Sequence, residues 1–245
     1  MMSFCIELAG VPVEIRCRFE SNRAFLKDYL TEKEPVLIIE PTADDLARMQ
    51  DDFDRMDEAD GVPRHRRTDE FLENNAIHSL LAEKLAESGV LLMHGSALCM
   101  DGEAIIFTAK SGTGKSTHAR LWREVFGDRV WMINDDKPML RIDDTGVTVY
   151  GTPWDGKHHL SRNASAKLRA IVNLTRDESN HIEPMSRADA FPVLMKQCFG
   201  PKNPVTMARV MELEKRLLRA VDFYTLGCNM LPEAAWVAWE GMNAR

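Results

Sequence analysis

An α/β fold is predicted for this 245-residue chain by three observations. From Val90 onward, strand-like and helix-like segments alternate, the pattern of a sheet covered by helices. The apolar run from Ile105 passes through a glycine-punctuated loop straight into a helical periodicity. Asp101-Gly102, set between two apolar runs, is a two-residue hairpin signal that adds antiparallel pairing to the same sheet. The expected architecture is a mixed sheet with flanking helices, preceded by a small α+β region.

Residues 3–19 read as two short strands around Gly10, and 35–40 (PVLIIE) as a third. Residues 41–56 form an amphipathic acidic helix. Thr42 stands as N-cap with Asp45 three residues on, and Leu46, Met49, Phe53 and Met56 share one face as core packing. The charged stretch 57–67, with its Gly and Pro and little apolar content, is the best internal linker. It divides an N-terminal region, 1–67, from a catalytic domain, 68–245. A helix follows over about 69–88, stopped by Gly89. Strands are then expected at VLLMHGSALCM, EAIIFTA, RVWMINDD, MLRI, VTVYG and LRAIVNL. Helices are expected from the glycine loop to about Phe126 and over 187–198, 204–218 and 232–243, with DFYTLG as a strand before the last. No internal repeat interrupts this order.

Composition bounds the function. With 44% hydrophobic and 28% charged residues the chain suits a globular core. A net charge of −7 argues against nonspecific nucleic-acid binding, which needs a basic surface. No apolar run is long enough to span a membrane, and the N-terminus lacks the pattern of a signal peptide. The 5 cysteines are scattered, odd in number and without a Cys-x-x-Cys pair, which points to a reducing, cytoplasmic compartment.

The loop reads Ala109-Lys110-Ser111-Gly112-Thr113-Gly114-Lys115-Ser116, followed by Thr117. It matches the phosphate-loop pattern, with Ala109 in place of the first glycine, a departure tolerated if φ there is negative. Gly112 and Gly114 let backbone N–H groups turn inward around phosphate oxygens, and a helix starting near Lys115 points its positive end at the same anion. Lys115 supplies a point charge for the terminal phosphates, and the Ser116 hydroxyl is placed for Mg²⁺. The nucleotide-binding set is therefore Ser111, Gly112, Thr113, Gly114, Lys115, Ser116 and Thr117, with ATP as ligand. The relaxed pattern arises by chance in about 2% of chains of this length, so its flanking strand and helix matter more than its letters.

Asp135 and Asp136 lie about 20 residues on, at the end of an apolar strand. One can hold Mg²⁺ while the other accepts a proton from an attacking hydroxyl. The spacing alone does not decide which is which, and the same pair would also open a turn before Lys137-Pro138. His94, between apolar runs one hairpin before the loop, is a third candidate. A lone histidine in such a place is also a common hydrogen-bonded core residue.

Taken together, "HGSALCMDGEAIIFTAKSGTGKST…INDD" resembles the catalytic core of HPr kinase/phosphorylase and, more distantly, of ATP-dependent phosphoenolpyruvate carboxykinase. The resemblance covers roughly residues 90–140. It implies a phosphate-loop kinase that phosphorylates a hydroxyl with Mg-ATP, with Lys115 and His94 in the active site, Asp135 as base and Asp136 as metal ligand. It also implies a bacterial cytoplasmic protein and an oligomer, although nothing in the residues reports an oligomer directly. Two departures stand out. The Glu-Ile-Arg-Gly segment tied to the phosphorylase reaction is missing; its place holds "YGTPWDGKHHLSRNAS", where Trp154, Lys157 and Arg162 are candidates for a substrate or phosphate clamp. The chain also has no room for the large N-terminal domain of the carboxykinases. The expected function is transfer of the γ-phosphoryl group of ATP to a serine-type hydroxyl on a small protein, peptide or metabolite. A nucleotide-dependent switch or ATPase without an acceptor is the alternative. No nucleic acid or membrane partner is expected.

Overall fold

The computed structural model describes residues 1–244 and divides into two compact units, Met1–Ser88 and Gly89–Arg245. In the first, β1 (Met2–Leu8) and β2 (Val11–Cys17) form an antiparallel hairpin, and β3 (Leu37–Ile39) pairs parallel with β2. A short helix that the periodicity does not announce, α1 (Glu20–Phe25), follows β2. Helices α2 (Ala43–Ala59) and α3 (Asp69–Leu85) complete the unit, packing through Leu46, Leu72 and Ala76. The start of α2 is fixed as its sequence predicts. Thr42 accepts from the Asp45 amide while the Asp45 carboxylate accepts from the Thr42 amide, a reciprocal capping box. A buried carboxylate ties the unit together: Glu73, on α3, accepts hydrogen bonds from the backbone of Arg18 and Phe19 and from the Asn22 side chain. The compact division falls after Ser88 rather than at the linker 57–67, because α3 packs on α2 within the first unit.

The second unit is a mixed sheet with helices. In chain order it contains β4 (Val90–Leu92), β5 (Ser96–Met100), β6 (Glu103–Thr108), α4 (Lys115–Phe126), β7 (Val130–Asn134), β8 (Met139–Asp143) and β9 (Gly146–Tyr150). β10 (Ser165–Arg176), β11 (His181–Pro184), α5 (Arg187–Gln197), α6 (Pro204–Ala220), β12 (Asp222–Cys228) and α7 (Glu233–Asn243) complete it. The sheet runs β4-β8-β9-β10-β6-β5-β7, with β12 paired to β10 and β11 to β12. β6 and β12 lie parallel to β10, while β5 is antiparallel to both β6 and β7. The hairpin turn between β5 and β6 has Asp101 and Gly102 both at positive φ, the geometry that two-residue connections favour. α4 packs on β5, β6 and β7, and Trp122, Phe107 and Leu226 sit at the centre of the resulting core.

One expected strand is two. The run VLLMHGSALCM breaks at Met93–Gly95, so that β4 pairs with β8 and β5 with β6 and β7, far apart in the sheet order. Close approach explains the glycine at the break. A Cβ on Gly95 would lie 2.8 Å from the Ile106 side chain and 3.0 Å from the Phe107 carbonyl oxygen. β11 was not expected from the sequence; its four residues pair only with β12. No helix among the described residues is long and apolar enough to cross a membrane.

Candidate functional site

The sheet topology brings three distant segments to one place. β5 runs antiparallel between β6 and β7, with Ser96 opposite Phe107 and Ala97 opposite Asn134. The start of β5 therefore meets the ends of β6 and β7. His94–Ser96, the loop 109–114 after β6, and Asn134–Lys137 after β7 gather at that end. Hydrogen bonds seal the junction: Thr108 Oγ1 donates to the His94 carbonyl (3.0 Å), and the Gly95 amide donates to the Asp136 carbonyl (3.1 Å).

The loop has the backbone its sequence implies. Gly112 (φ 77) and Gly114 (φ 121) occupy conformations that an L side chain resists, and Gly114 caps α4. Ala109 is absent from the residues with positive φ, so its methyl group introduces no strain where the pattern has glycine. The first amides of α4 have no intrahelical partner and face the loop, an arrangement suited to an anion. Lys115 Nζ folds back to the Ala109 carbonyl at 3.3 Å. Burial pushes the Lys115 pKa below its ordinary value, and the nearby Asp136 and Asp135 charges work against that fall.

The two aspartates differ in surroundings. Asp135 is buried and accepts a short hydrogen bond from Ser96 Oγ, itself fully buried (2.6 Å). Its second oxygen faces Gly156: a Cβ there would lie 3.1 Å from Asp135 Oδ2. Asp136 is half-buried, 3.3 Å from His94 Nε2 and 3.5 Å from Lys137 Nζ. Burial alone would raise the Asp136 pKa. The His94 hydrogen bond and the Lys137 charge outweigh it and hold the carboxyl below its ordinary value, hence ionised at neutral pH.

Asn134 organises both neighbours, a role the sequence reading missed. Its side-chain carbonyl accepts from the amides of Asp136 (2.9 Å) and Lys137 (2.6 Å). Its NH₂ donates to the Thr152 carbonyl (3.0 Å) and hydroxyl (3.1 Å) and to the Trp154 carbonyl (3.3 Å). One buried amide thus sets the turn that presents both carboxylates and clamps the following strap, 151–164, beneath it. Asn at a strand end before Asp-Asp was the available signal, since Asn caps its own backbone two residues on. Ser96 lies within the quoted run but carries no marker of its role. Arg176, also missed, donates from Nη2 to the Gly112 carbonyl (2.6 Å), tying the end of β10 to the loop.

These parts enclose a cavity of about 800 Å³. His94, Lys115, Ser116, Asp135 and Asp136 line it together with Ser111, Gly112, Gly114 and Thr117. Thr113 is not among the lining residues; its amide closes the loop turn onto the Lys110 carbonyl. The three clamp candidates separate. Lys157 lines the cavity. Trp154, within the strap, is buried, and the Arg162 guanidinium lies over the Trp131 ring at 5.5 Å; neither lines the cavity. Among the described residues no group of three or more His, Cys, Asp and Glu is arranged to hold a metal unaided. Ser116 and Asp136 both line the cavity, and a hydroxyl with one carboxylate fits Mg²⁺, which commonly takes one or two carboxylates and completes its shell with phosphates and water.

No protein-family model matches the chain, and no curated protein matches it. Among solved structures, the Hpr(Ser) kinase/phosphatase from Coxiella burnetii overlaps with a TM-score of 0.38 at 10% identity, over 62% of this chain and 97% of that one. An overlap this loose defines neither family nor activity.

Proposed function

We propose that the chain is an ATP-dependent kinase of the phosphate-loop type that transfers the γ-phosphoryl group to a hydroxyl acceptor. One observation carries the reading. A glycine loop opening a helix shares a cavity with two aspartates held in different ways, Asp135 by Ser96 and Asp136 by His94 and Lys137. A binding module needs the loop and one carboxylate; a phosphoryl transferase also needs a base beside them.

In this reading the loop amides and Lys115 bind the triphosphate and neutralise charge on it as the γ-phosphoryl group leaves. Ser116 and Asp136 would hold Mg²⁺, which when bound supplies further charge neutralisation. Asp135 accepts the acceptor's hydroxyl proton as the oxygen–phosphorus bond forms and the bond from the γ-phosphorus to the bridging oxygen of ADP breaks. His94 keeps Asp136 ionised and oriented. Five free cysteines are consistent with a reducing, cytoplasmic setting.

The test is incubation with γ-labelled Mg-ATP and a cell extract, beside Lys115→Ala and Asp135→Asn variants. Label on an acceptor with the parent protein alone supports the kinase. Equal labelling by all three proteins rejects it. Nucleotide binding without any labelled acceptor favours the switch.

A further inference from the structure

The cavity is wider and more cationic than ATP requires. On α4, Ser116, Ala119, Arg120 and Arg123 recur at helical spacing and all line it. Seven residues separate Ser116 from Arg123, so the lined face extends about 10 Å along the helix from the phosphate end. Met132 on β7 and Leu160 and Lys157 on the strap line the same cavity. All of ATP's charge lies in the triphosphate, which the loop takes; adenosine is neutral. Cations that far along α4 therefore have no counterpart in the nucleotide.

Their own pairing confirms the surplus. Lys115 bonds to the loop and Arg120 to Glu124 at 2.5 Å. Arg123 has a buried Nε with no hydrogen-bond partner among the described residues, and Lys157 lines the same cavity. A buried guanidinium nitrogen left unpaired is costly, and the part of Arg123 that lines the cavity can pair with an anion there. The chain as a whole carries a charge of −7, so a free cationic wall here is not a reflection of composition. β7 carries Met132 and leads directly to Asp135, so this wall and the candidate base belong to the same strand end.

We propose that the acceptor carries an anionic group, a carboxylate or phosphate, close to the hydroxyl that is phosphorylated, and that Arg123 and Lys157 bind it. The proposal rests on the kinase reading of the same cavity.

The experiment measures transfer from γ-labelled Mg-ATP to one serine peptide flanked by Glu, by Gln or by Lys, and to glycerate against glycerol. Expected is a kcat/KM at least tenfold higher for the anionic member of at least one pair. A preference confined to the peptides assigns the anion to a polypeptide acceptor; one confined to glycerate assigns it to a small hydroxy acid. Arg123→Gln should shrink the preference to about twofold or less, and Arg123→Lys should retain most of it. Equal use of anionic and neutral acceptors by the parent overturns the proposal while leaving the kinase reading intact. So does a tenfold loss of Mg-ATP affinity in Arg123→Gln, which would assign the cation to the nucleotide. Absence of transfer to every acceptor, with Mg-ATP still bound, sinks the kinase reading itself and this proposal with it.

Discussion

Replacing Asn134 by alanine is expected to destabilise the second unit by about 3 kcal/mol. The side chain is fully buried and pairs with two backbone amides and two backbone carbonyls. A neutral hydrogen bond contributes about 1 kcal/mol, and a buried group left unpaired costs about 1–3 kcal/mol. The amides of Asp136 and Lys137 and the Thr152 carbonyl lose this partner together; local relaxation recovers part of the loss. For a unit of this size the change corresponds to a fall in Tm of roughly 9 °C. The assay is convenient because all 5 tryptophans (Trp122, Trp131, Trp154, Trp236 and Trp239) lie after Ser88. Tryptophan fluorescence during thermal or urea unfolding therefore reports on the second unit alone. A fall in Tm below about 2 °C would show that water replaces the amide at little cost, and that Asn134 does not organise the turn.

Glu214, on α6, is almost fully buried with one oxygen unpaired; burial raises its pKa from 4.5 to about 7, against a hydrogen bond from Cys198 that lowers it. Its folded pKa exceeds its unfolded one, so its stabilising contribution is complete below about pH 4.5 and is lost as pH rises through 7. At about 1.4 kcal/mol per pH unit, Glu214→Gln should gain roughly 3 kcal/mol relative to the parent between pH 4.5 and pH 8, read from urea midpoints; a constant difference across that range refutes it. At Gly156 the added methyl group of alanine would press on Asp135, which Ser96 holds from the other side. Gly156→Ala should lower the transfer rate about tenfold, or about 1.4 kcal/mol in the barrier, with Tm within 2 °C of the parent; unchanged transfer would show that the strap yields.

The local signals carried most of the fold. Thr42 with Asp45, Asp101-Gly102 and the apolar stripe of α4 each act through residues a few positions apart, and each appears where its chemistry placed it. What failed depends on pairing between distant segments. The run through His94 reads as one strand because its apolar pattern is continuous; only the packing of Gly95 against Ile106 and Phe107 shows why it must break. The grouping was legible as letters: His94, the loop from Ser111, and Asp135-Asp136 line one cavity. Its supports were not. Asn134 and Ser96 are ordinary polar residues until the β5–β7 register places them beside the aspartates. Trp154 and Arg162 looked like ligand groups because of their chemistry, yet burial and stacking on Trp131 turn them away from the cavity.

Whether Asp135 does chemistry rather than bind nucleotide is read by comparing parent and Asp135→Asn in two measurements on the same samples: the calorimetric Kd for Mg-ATP and the single-turnover rate of γ-phosphoryl transfer to an acceptor. A base at Asp135 gives the variant a Kd within about threefold of the parent and a transfer rate lower by about 10²–10⁴-fold, the usual worth of a positioned base. Transfer at the parental rate with intact binding, or binding lost in proportion to transfer, would contradict it.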